Sequence, residues 1–440
     1  MAKVKKQMGV QQVLLDLDQD TEALLEYLCK QSGKLYNCGV YFSRQTFFKT
    51  GKLLTGKFDL DREPSVAKTL LAKSMPSTPM QQTLRSVTEA FKSYKRLREL
   101  FFKGQLNFKP QPPSYLKGSK LFKVAYPNSG GQKPKLIESQ LRFSLGLTIK
   151  RWFGVKEFFL PMPTNLDFNQ VKEFTILPKN GAFYLELSYA TERVLTELDF
   201  DQALSIDLGT ADNLAACVDT LGNSLLVDAR AIKAMNQLWN KKVATRKMGK
   251  PENYWDSWLD QVTRKRNHQI RDGINKAAKI MINHCLKHNI GNLVVGWNQG
   301  FKSHANLGRL NNQKFVQMPL GKLKNRLKQL CELHAIKFQQ TEEAYTSKAS
   351  YLDGDSLPQF GKKPDGWKAS GRRIKRGLYQ SSNGSIVNAD LNASANILRK
   401  VASNLSLDLG LLGRRTLTSV ARVRLWSLPK FTLSAESQCL

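Results

Sequence analysis

Acidic residues are scarce in this sequence of 440 residues. It contains 36 Asp and Glu against 68 Lys and Arg, which leaves a formal net charge of +32 at pH 7. Repulsion among so many like charges is relieved when a protein binds a polyanion, and nucleic acid is the common one. The composition therefore predicts a nucleic-acid-binding protein. A ribosome-like structural protein and a basic membrane-surface protein are the alternatives.

Cysteine is also sparse. The six cysteines stand at positions 29, 38, 217, 285, 331 and 439, and no two of them form a Cys-x-x-Cys pair. This excludes a disulfide framework and a zinc site made of cysteines alone, and it predicts reduced thiols in a cytosolic protein. No run approaches ~20 uninterrupted apolar residues, so we expect no membrane span. The basic start, MAKVKKQMGV, lacks the apolar core of a secretory signal.

The apolar content is sufficient for several folded domains. Hydrophobic residues make up 41% of the chain and aromatic residues 9%, which excludes a wholly disordered protein. The patterns predict an α+β multidomain fold. Before a boundary at Pro110–Pro113 we expect a strand over 8–16 and helices over 21–48 and 80–103. After it we expect a β-rich region over 119–190, an α/β region from 201 with a long helix over 254–288, and a loosely packed tail over 403–440.

The segment ALSIDLGTADNLAACVD, residues 203–219, places an acidic residue at the end of an apolar strand. That strand leads to Asp207, and Gly209 permits a tight turn before a second strand over 214–218. A carboxylate beside buried apolar residues is costly unless it is paired or bound to a metal ion. Asp207 is therefore either a metal ligand or the cap of a hairpin turn.

A second acidic motif lies in SSNGSIVNADLNASANILRK, residues 381–400. Asp390 stands at the start of a helix whose packing face carries small and apolar residues. It is either the N-cap of that helix or a carboxylate presented to a metal ion at the end of the first strand. The two motifs together are more specific than either one alone.

Together the motifs resemble the first and third RuvC-type nuclease motifs of the TnpB (OrfB) proteins of bacterial insertion sequences, which are related to type V CRISPR effectors. The segments YLCKQSGKLYNCGVYFSRQ (27–45) and QQTLRSVTEAFKSYKRL (81–97) are similar to that family's N-terminal helices, and 310–350 is similar to its core. The resemblance covers about residues 8–400.

The resemblance implies an RNase H-like RuvC α/β domain and a wedge-type β-barrel with a helical recognition insertion. It implies a guide RNA encoded near the gene, a double-stranded DNA target with an adjacent short motif, two Mg²⁺ ions, no membrane partner, and action in the prokaryotic cytoplasm at the nucleoid. The expected domains are a wedge strand (1–16), a helical recognition domain (17–110), a wedge β-barrel (111–200), a first RuvC segment (201–346), a small target-binding insertion (347–387), a second RuvC segment (388–402) and a basic tail (403–440).

The sequence departs from the family pattern at two places. The family carries a catalytic Glu at the end of the second nuclease strand, but here that strand, GNLVVGWNQGFKS (291–303), has no acidic residue. The family also has two Cys-x-x-Cys pairs before its last Asp, whereas residues 347–389 contain no cysteine. We therefore expect no zinc, and an insertion held by polar packing through Tyr351, Trp367 and Tyr379.

The missing Glu leaves two interpretations: the nuclease is dead, or the Glu has moved. The next strand, AIKFQQ (335–340), should lie about 4.8 Å from the previous one, and Glu342 and Glu343 follow it. An acidic pair at a strand end is also often only a solvated turn. We favour relocation, with Asp207, Glu343 and Asp390 as catalytic carboxylates and Mg²⁺ ligands, and Glu342 as the alternative to Glu343.

Basic residues on predicted helices and in the insertion are candidate phosphate contacts, because a protein of this charge needs a channel for the nucleic acid backbone. They are Lys92, Lys95, Arg96, Arg264, Arg266, Arg271, Arg372, Arg373, Lys375 and Arg376. His284 and His288 have i, i+4 spacing, but without a third ligand they are better explained by the helix C-terminus.

Three functions compete for this sequence. The leading hypothesis is an RNA-guided DNA endonuclease associated with a transposable element, and the second is a nuclease-dead RNA-guided DNA-binding protein or repressor. The third is a structural RNA-binding protein, against which the paired Asp motifs argue. Strand transfer by a transposase is not expected, because the carboxylates resemble a hydrolytic pair.

Overall fold

The structure is a computed structural model and describes residues 7–118, 121–194, 196–209, 212–298, 317–418 and 420–426. It forms two compact units, Met1–Glu192 and Arg193–Leu440, called here the N-terminal and the C-terminal unit. In the described part of the chain, no helix is both long enough and apolar enough to cross a membrane.

Helices form the first half of the N-terminal unit. They are α1 (Gln19–Thr50), α2 (Pro64–Ala67), α3 (Leu70–Lys73) and α4 (Ser77–Phe102). The two long helices match the predicted ones and share a core that includes Leu35, Val40, Leu84, Val87 and Phe91. Gly39 allows α1 to approach α4 closely, because a Cβ atom there would lie 3.1 Å from a methyl group of Val87.

Antiparallel sheets form the rest of the N-terminal unit. A four-stranded sheet has the order β1-β7-β6-β2, with β1 (Gln7–Leu14), β2 (Val124–Pro127), β6 (Val171–Pro178) and β7 (Phe183–Thr191). A three-stranded sheet contains β3 (Lys135–Ile137), β4 (Gln140–Ser144) and β5 (Glu157–Pro161). Both contribute to one core around Tyr126, Phe143, Phe158 and Phe174. The wedge-type barrel stays a prediction.

One sequence expectation in this unit is wrong. The apolar run LRFSLGL predicts a single strand, but β4 ends at Ser144 and a helix, α5 (Leu147–Phe153), begins three residues later. Gly146 caps that helix, and a Cβ atom on it would lie 2.9 Å from the Met75 carbonyl oxygen. A contact distant in sequence therefore decides the break, which the local apolar pattern cannot reveal.

The C-terminal unit is built on a six-stranded sheet of order β12-β11-β8-β9-β10-β16. Its strands are β8 (Asp199–Leu208), β9 (Asn213–Asp219), β10 (Ser224–Asp228), β11 (Ile290–Gly296), β12 (Lys337–Thr341) and β16 (Ala421–Val423). Strands β8, β11 and β12 are parallel neighbours, and β9 returns antiparallel to β8. The predicted neighbour relation of 335–340 with the strand over 291–303 is confirmed for the described residues.

Helices cover both faces of this sheet. They are α6 (Arg230–Lys247), α7 (Ser257–Lys287), α8 (Leu320–Leu333), α9 (Ala389–Leu405) and α10 (Arg414–Thr418). On one face Ile206 and Val295 pack with α7 and α8, and on the other Ala203 and Val294 pack with α9. Because side chains alternate along a strand, central strands buried on both faces are continuously apolar. An acidic residue such as Asp207 stands out in that pattern.

The insertion between β12 and α9 carries its own sheet of β13 (Arg372–Lys375), β14 (Leu378–Gln380) and β15 (Ile386–Asn388). The expected loose tail is wrong for residues 403–418 and 420–426. Strand β16 pairs in parallel with β10, and Leu412 and Leu417 are buried against α9. Residues 427–440 of that prediction lie outside the described part of the chain.

Candidate active site

Asp207 lies one residue before the end of β8, the strand between β11 and β9. Its neighbour Ile206 is buried and pairs with Val295 of β11. Asp207 itself, near the C-terminal end of β8, is partly exposed to solvent. Burial, and then the nearby carboxylates of Glu343 and Asp390, raise the pKa of Asp207 well above its usual range, and the Arg373 guanidinium opposes this. The structure thus brings all three predicted carboxylates into electrostatic contact.

Asp390 lies in the first turn of α9 and is 6% exposed. The N-cap is Asn388, whose side-chain oxygen accepts hydrogen bonds from the amides of Asp390 at 3.0 Å and Leu391 at 3.1 Å. The capping interpretation of Asp390 is therefore wrong. Its carboxylate instead accepts hydrogen bonds from Asn213 at 2.9 Å and Arg373 at 3.2 Å, and a carboxylate in the first turn also suits the helix dipole.

A buried polar contact fixes the spacing between β8 and α9. The hydroxyl oxygens of Ser205 and Ser394 lie 2.7 Å apart, and the Ser205 hydroxyl also donates to the Ser394 carbonyl at 2.8 Å. Both side chains are fully buried. Such a bond contributes about 1 kcal/mol net, but leaving one partner unpaired costs more. The contact joins β8 to α9 two residues before Asp207 and four residues after Asp390.

Glu342 and Glu343 point in different directions after β12. Glu342 forms an ion pair with Lys400 at 2.5 Å and accepts a hydrogen bond from the Phe360 amide at 3.2 Å. Glu343 is partly buried, and burial raises the pKa of its carboxyl, although Lys400 lowers it. Of the two acids, only Glu343 contributes to the charge around Asp207.

The carboxylate of Glu343 lies over the end of the strand that lacks an acidic residue. A Cβ atom built on Gly296, the last residue of β11, would stand 3.1 Å from Glu343 Oε2. Gly296 pairs with Thr341, two residues before Glu343, and the Glu343 amide donates to Asn298 Oδ1 at 3.2 Å. A carboxylate from β12 thus occupies the space above the terminal residue of β11.

The donor set suits a hard cation, but the carboxylates are not arranged around one. Carboxylate oxygens are the ligands that Mg²⁺ prefers, and Glu343 and Asp390 lie near enough to add to the effect of burial on the pKa of Asp207. Within the described residues, however, no group of three or more His, Cys, Asp or Glu side chains is placed to hold a metal ion. Arg373 takes one position beside Asp390 instead.

The predicted basic residues divide by position. Arg373 lies at the candidate site, where it pairs with Asp390, and Arg376 pairs with Asp212 at 3.1 Å. Arg266 does not face solvent freely, because its guanidinium donates two hydrogen bonds to Asn236 and lies 5.1 Å from the Trp239 ring centre. The exposed candidates are Lys92, Lys95, Arg96, Arg271, Arg372 and Lys375, and Arg264 is partly buried.

Sequence reasoning missed Asn213, Asn388 and Gly296. Asn213 is 3% exposed and begins an apolar strand. A polar residue at such a position was the one sequence feature that could have identified it. Asn388 stands two residues before Asp390, but its capping role could not be distinguished from a cap at Asp390 itself. In the sequence, Gly296 belongs to a strand that lacks the Glu expected at its end. In the structure, the absence of a side chain at Gly296 leaves room for the Glu343 carboxylate.

The two histidines of α7 meet a buried acid. The ring nitrogen Nε2 of His284 lies 2.7 Å from a carboxylate oxygen of buried Asp219, and its ring centre lies 4.6 Å from that of His288. Asp219 also accepts a hydrogen bond from the Asn223 amide at 2.8 Å. The contact therefore fastens α7 to the hairpin of β9 and β10, which is a structural role.

A family model matches the central part of the chain. Residues 186–300 match the family described as OrfB_IS605, probable transposase. The resemblance to OrfB proteins is confirmed. The OrfB match includes Asp207 and ends before Glu343 and Asp390. No curated protein matches the chain.

Among solved structures, the chain is similar to Cas12f1 in a cryo-EM complex with sgRNA and target DNA. The TM-score is 0.56 at 14% identity, over 86% of this chain and 83% of that one. This similarity shows a mixed α/β multidomain fold shared with Cas12f1.

Two further matches are looser. The mini-RNA-guided endonuclease CRISPR-Cas_phi3 gives a TM-score of 0.43 at 10% identity, over 90% of this chain and 92% of that one. C2c1 from Alicyclobacillus acidoterrestris with single-guide RNA gives 0.35 at 10% identity, over 91% and 66%.

Proposed function

We propose that this chain is a transposon-associated RNA-guided DNA endonuclease with a RuvC-type site made of Asp207, Glu343 and Asp390. The OrfB match and the fold shared with Cas12f1, which was solved with sgRNA and target DNA, support an RNA-guided nuclease. The observation that carries the proposal is the position of Glu343, whose Oε2 lies 3.1 Å from the Cβ position of Gly296. A solvated acidic turn would not bury its carboxylate over the end of β11, near enough to raise the pKa of Asp207.

To hold Mg²⁺, the three carboxylates would have to move from the positions described above, where they do not surround a cation. A bound Mg²⁺ would activate the attacking water and stabilise the leaving oxygen in phosphodiester hydrolysis. Asn213 and Asn388 hold Asp390 in place through the bonds described above. Strand β13 is exposed and carries three cations, Arg372, Arg373 and Lys375, of which Arg373 pairs with Asp390. Cations at that place suit the backbone phosphates that flank a scissile bond.

The proposed partners are a guide RNA encoded near the gene and double-stranded DNA with an adjacent short motif. A net charge of +32 supports contact with a long stretch of backbone. Exposed cations of α4, namely Lys92, Lys95 and Arg96, are candidates for such contacts.

A nuclease-dead RNA-guided DNA-binding protein is the second candidate. The ion pair of Arg373 with Asp390 favours it, because that cation satisfies a carboxylate without any metal ion. The two candidates differ only in the chemical step, so binding and cleavage must be measured separately.

The deciding experiment expresses the full chain together with the flanking DNA of its gene. RNA that co-purifies is sequenced, and the complex is given Mg²⁺ and a plasmid library with random sequence beside a guide-matched target. We expect cleaved plasmids enriched in one adjacent motif, and loss of cleavage but not of binding in Asp207→Ala and Asp390→Ala. Guided binding without wild-type cleavage would select the nuclease-dead candidate, and absence of a specific RNA would refute both.

A further inference from the structure

A row of arginine and aromatic side chains runs from Tyr115 across α1 and α4 in the N-terminal unit, and three of its four rings are exposed. We call it the Arg–aromatic row, and its members in order are Tyr115, Arg44, Phe48, Phe47, Arg98 and Phe102. The distance from each guanidinium carbon to the centre of a neighbouring ring is 5.8, 5.3, 5.1 or 5.6 Å along the row. The ring centres of Phe48 and Phe47 lie 5.4 Å apart. These are the separations of cation–π and aromatic contacts.

The row is held in place before any ligand binds. Arg44 donates a hydrogen bond to the Pro113 carbonyl at 3.0 Å. Asn37 of α1 accepts from the Leu116 amide at 2.8 Å and donates to the Leu116 carbonyl at 3.3 Å. These bonds fix the segment that carries Tyr115 against α1. Phe47 is anchored from below by Tyr94, 6.0 Å away in an edge contact.

The outer rings of the row are too exposed to belong to the core. Phe102 is 74% exposed, Phe48 60% and Tyr115 42%, and Tyr41 on the same helix as Phe48 is 57% exposed. Large exposed aromatic groups that lie side by side usually mark a surface that another molecule covers. This surface therefore offers rings on which a flat ligand can stack.

The excess of positive charge in the segments that carry the row favours a polyanionic ligand. No Asp or Glu occurs between Tyr27 and Phe58, which includes six Lys or Arg, and none occurs between Leu100 and Ile137. In α4, residues 92–103 contain five Lys or Arg and one acid, Glu99. Flat rings that alternate with guanidinium planes in a cationic surround fit unpaired nucleobases, each of which offers a face for stacking and a phosphate for pairing.

We propose that the Arg–aromatic row binds a single-stranded segment of RNA by stacking its unpaired bases. The choice of RNA rests on the proposed function, in which the guide stays bound while DNA comes and goes. A permanently bound strand covers these rings throughout the life of the protein, whereas a transient DNA strand would leave them bare. The stacking itself depends only on the geometry of the row.

The test uses full-length protein freed of nucleic acid and three labelled 12-nucleotide probes: oligouridine, the same RNA backbone without bases, and oligothymidine DNA. Affinity is measured by fluorescence anisotropy for wild type and for Phe48→Leu/Phe102→Leu, which keeps an apolar surface but removes two rings. The control is Trp152→Leu, which removes a ring that is 66% exposed on α5. Thermal melting checks that each variant is folded.

We expect the double variant to bind oligouridine about 5- to 150-fold more weakly for each stacked base lost. Its affinity for the abasic RNA and the salt dependence should stay unchanged, and oligothymidine should bind more weakly than oligouridine throughout. Trp152→Leu should bind as wild type does.

Equal losses on the base-bearing and abasic probes, or no loss at all, would overturn the proposal. A preference for the DNA probe that depends on the row would overturn the choice of RNA. Light scattering supplies the remaining outcome: a dimer that the double variant abolishes would make a second copy of the chain the occupant and refute the proposal. These readouts require no cleavage, so failure here is distinguishable from failure of the proposed nuclease function.

Discussion

The guanidinium of Arg373 donates a hydrogen bond of 3.2 Å to a carboxylate oxygen of Asp390. Arg373 belongs to β13 of the insertion and Asp390 to α9, which packs on the six-stranded sheet, so the contact joins two regions of the C-terminal unit at the candidate site. The same guanidinium lowers the pKa of Asp207 against the effect of burial. A side chain of the insertion thus supplies positive charge where the proposed function needs a metal ion.

Replacement of Arg373 should therefore strengthen cation binding. Half of the Arg373 side chain is exposed, so its pairing is screened, and we expect Mn²⁺ to bind about two- to five-fold more tightly to Arg373→Gln than to wild type. Electron paramagnetic resonance of protein without DNA measures this directly. Arg372→Gln, from the adjacent position of the same strand, is the control. Weaker Mn²⁺ binding in Arg373→Gln would contradict the expectation.

Glu343→Gln should abolish guided cleavage and preserve guided binding. The carboxylate of Glu343 lies over Gly296 beside Asp207, whereas Glu342 pairs with Lys400. Glu342→Gln is the matched control and should keep cleavage within a few-fold of wild type, with a small loss of thermal stability. Cleavage is followed on a labelled target and binding by gel shift. If both variants cut at the wild-type rate, Glu343 has no part in the chemistry.

The Mg²⁺ concentration that gives half-maximal cleavage should depend on pH. Burial and two neighbouring carboxylates raise the pKa of Asp207, so the site holds a proton at pH values where an exposed Asp, with a pKa near 3.9, is fully ionised. Binding of a metal ion releases that proton. Below the raised pKa, the half-saturating Mg²⁺ concentration should rise about tenfold per pH unit for one proton released. Cleavage is titrated with Mg²⁺ over a series of pH values, and a half-saturating concentration that does not rise as the pH falls would argue against a raised pKa of Asp207.

The insertion should be stable without zinc. Residues 347–387 contain no Cys or His, and Zn²⁺ sites are built mainly from those side chains. Tyr379, 1% exposed, instead donates a hydrogen bond to the Lys348 carbonyl at 2.8 Å. Elemental analysis should find no tightly bound zinc, and a chelator should leave the melting temperature unchanged.

Loss of the Tyr379 hydroxyl should destabilise the insertion. Tyr379→Phe leaves a carbonyl without its partner, at a cost of about 1 kcal/mol. Phe360→Leu, at a position 84% exposed in the same insertion, should have no effect. Urea unfolding measures both, and equal stability of the two variants would show that the bond contributes nothing.

Much of the C-terminal unit could be predicted from sequence because its central strands are buried on both faces. Largely apolar runs over 203–206 and 291–295 indicated two strands, which pair in parallel in the structure. The acid at the end of the first run identified Asp207. The acidic pair after β12 favoured Glu343 over Glu342, and the side-chain directions in the structure agree with that preference.

The remaining features depend on contacts between distant residues. Arg373 was predicted to contact nucleic acid, and nothing in the sequence indicated its pairing with Asp390, seventeen positions away. Arg266 has the same charge pattern as its exposed neighbours, yet its burial against Trp239 follows from the packing of α6 on α7. Strand β16 is only three residues long. So short a segment shows no alternating pattern from which the strand, or its pairing with β10, could be predicted.

The positions of Gly296 and Glu343 bear on how proteins that match the OrfB_IS605 family model should be classified. A survey that checks only the end of the strand equivalent to β11 for an acidic residue would count this chain among degenerate copies. Because Gly296 pairs with Thr341 and the carboxylate arrives from two residues beyond it, the two positions should change together during evolution. We expect relatives with glycine at the first position to carry glutamate at the second, and copies that have lost both to have decayed.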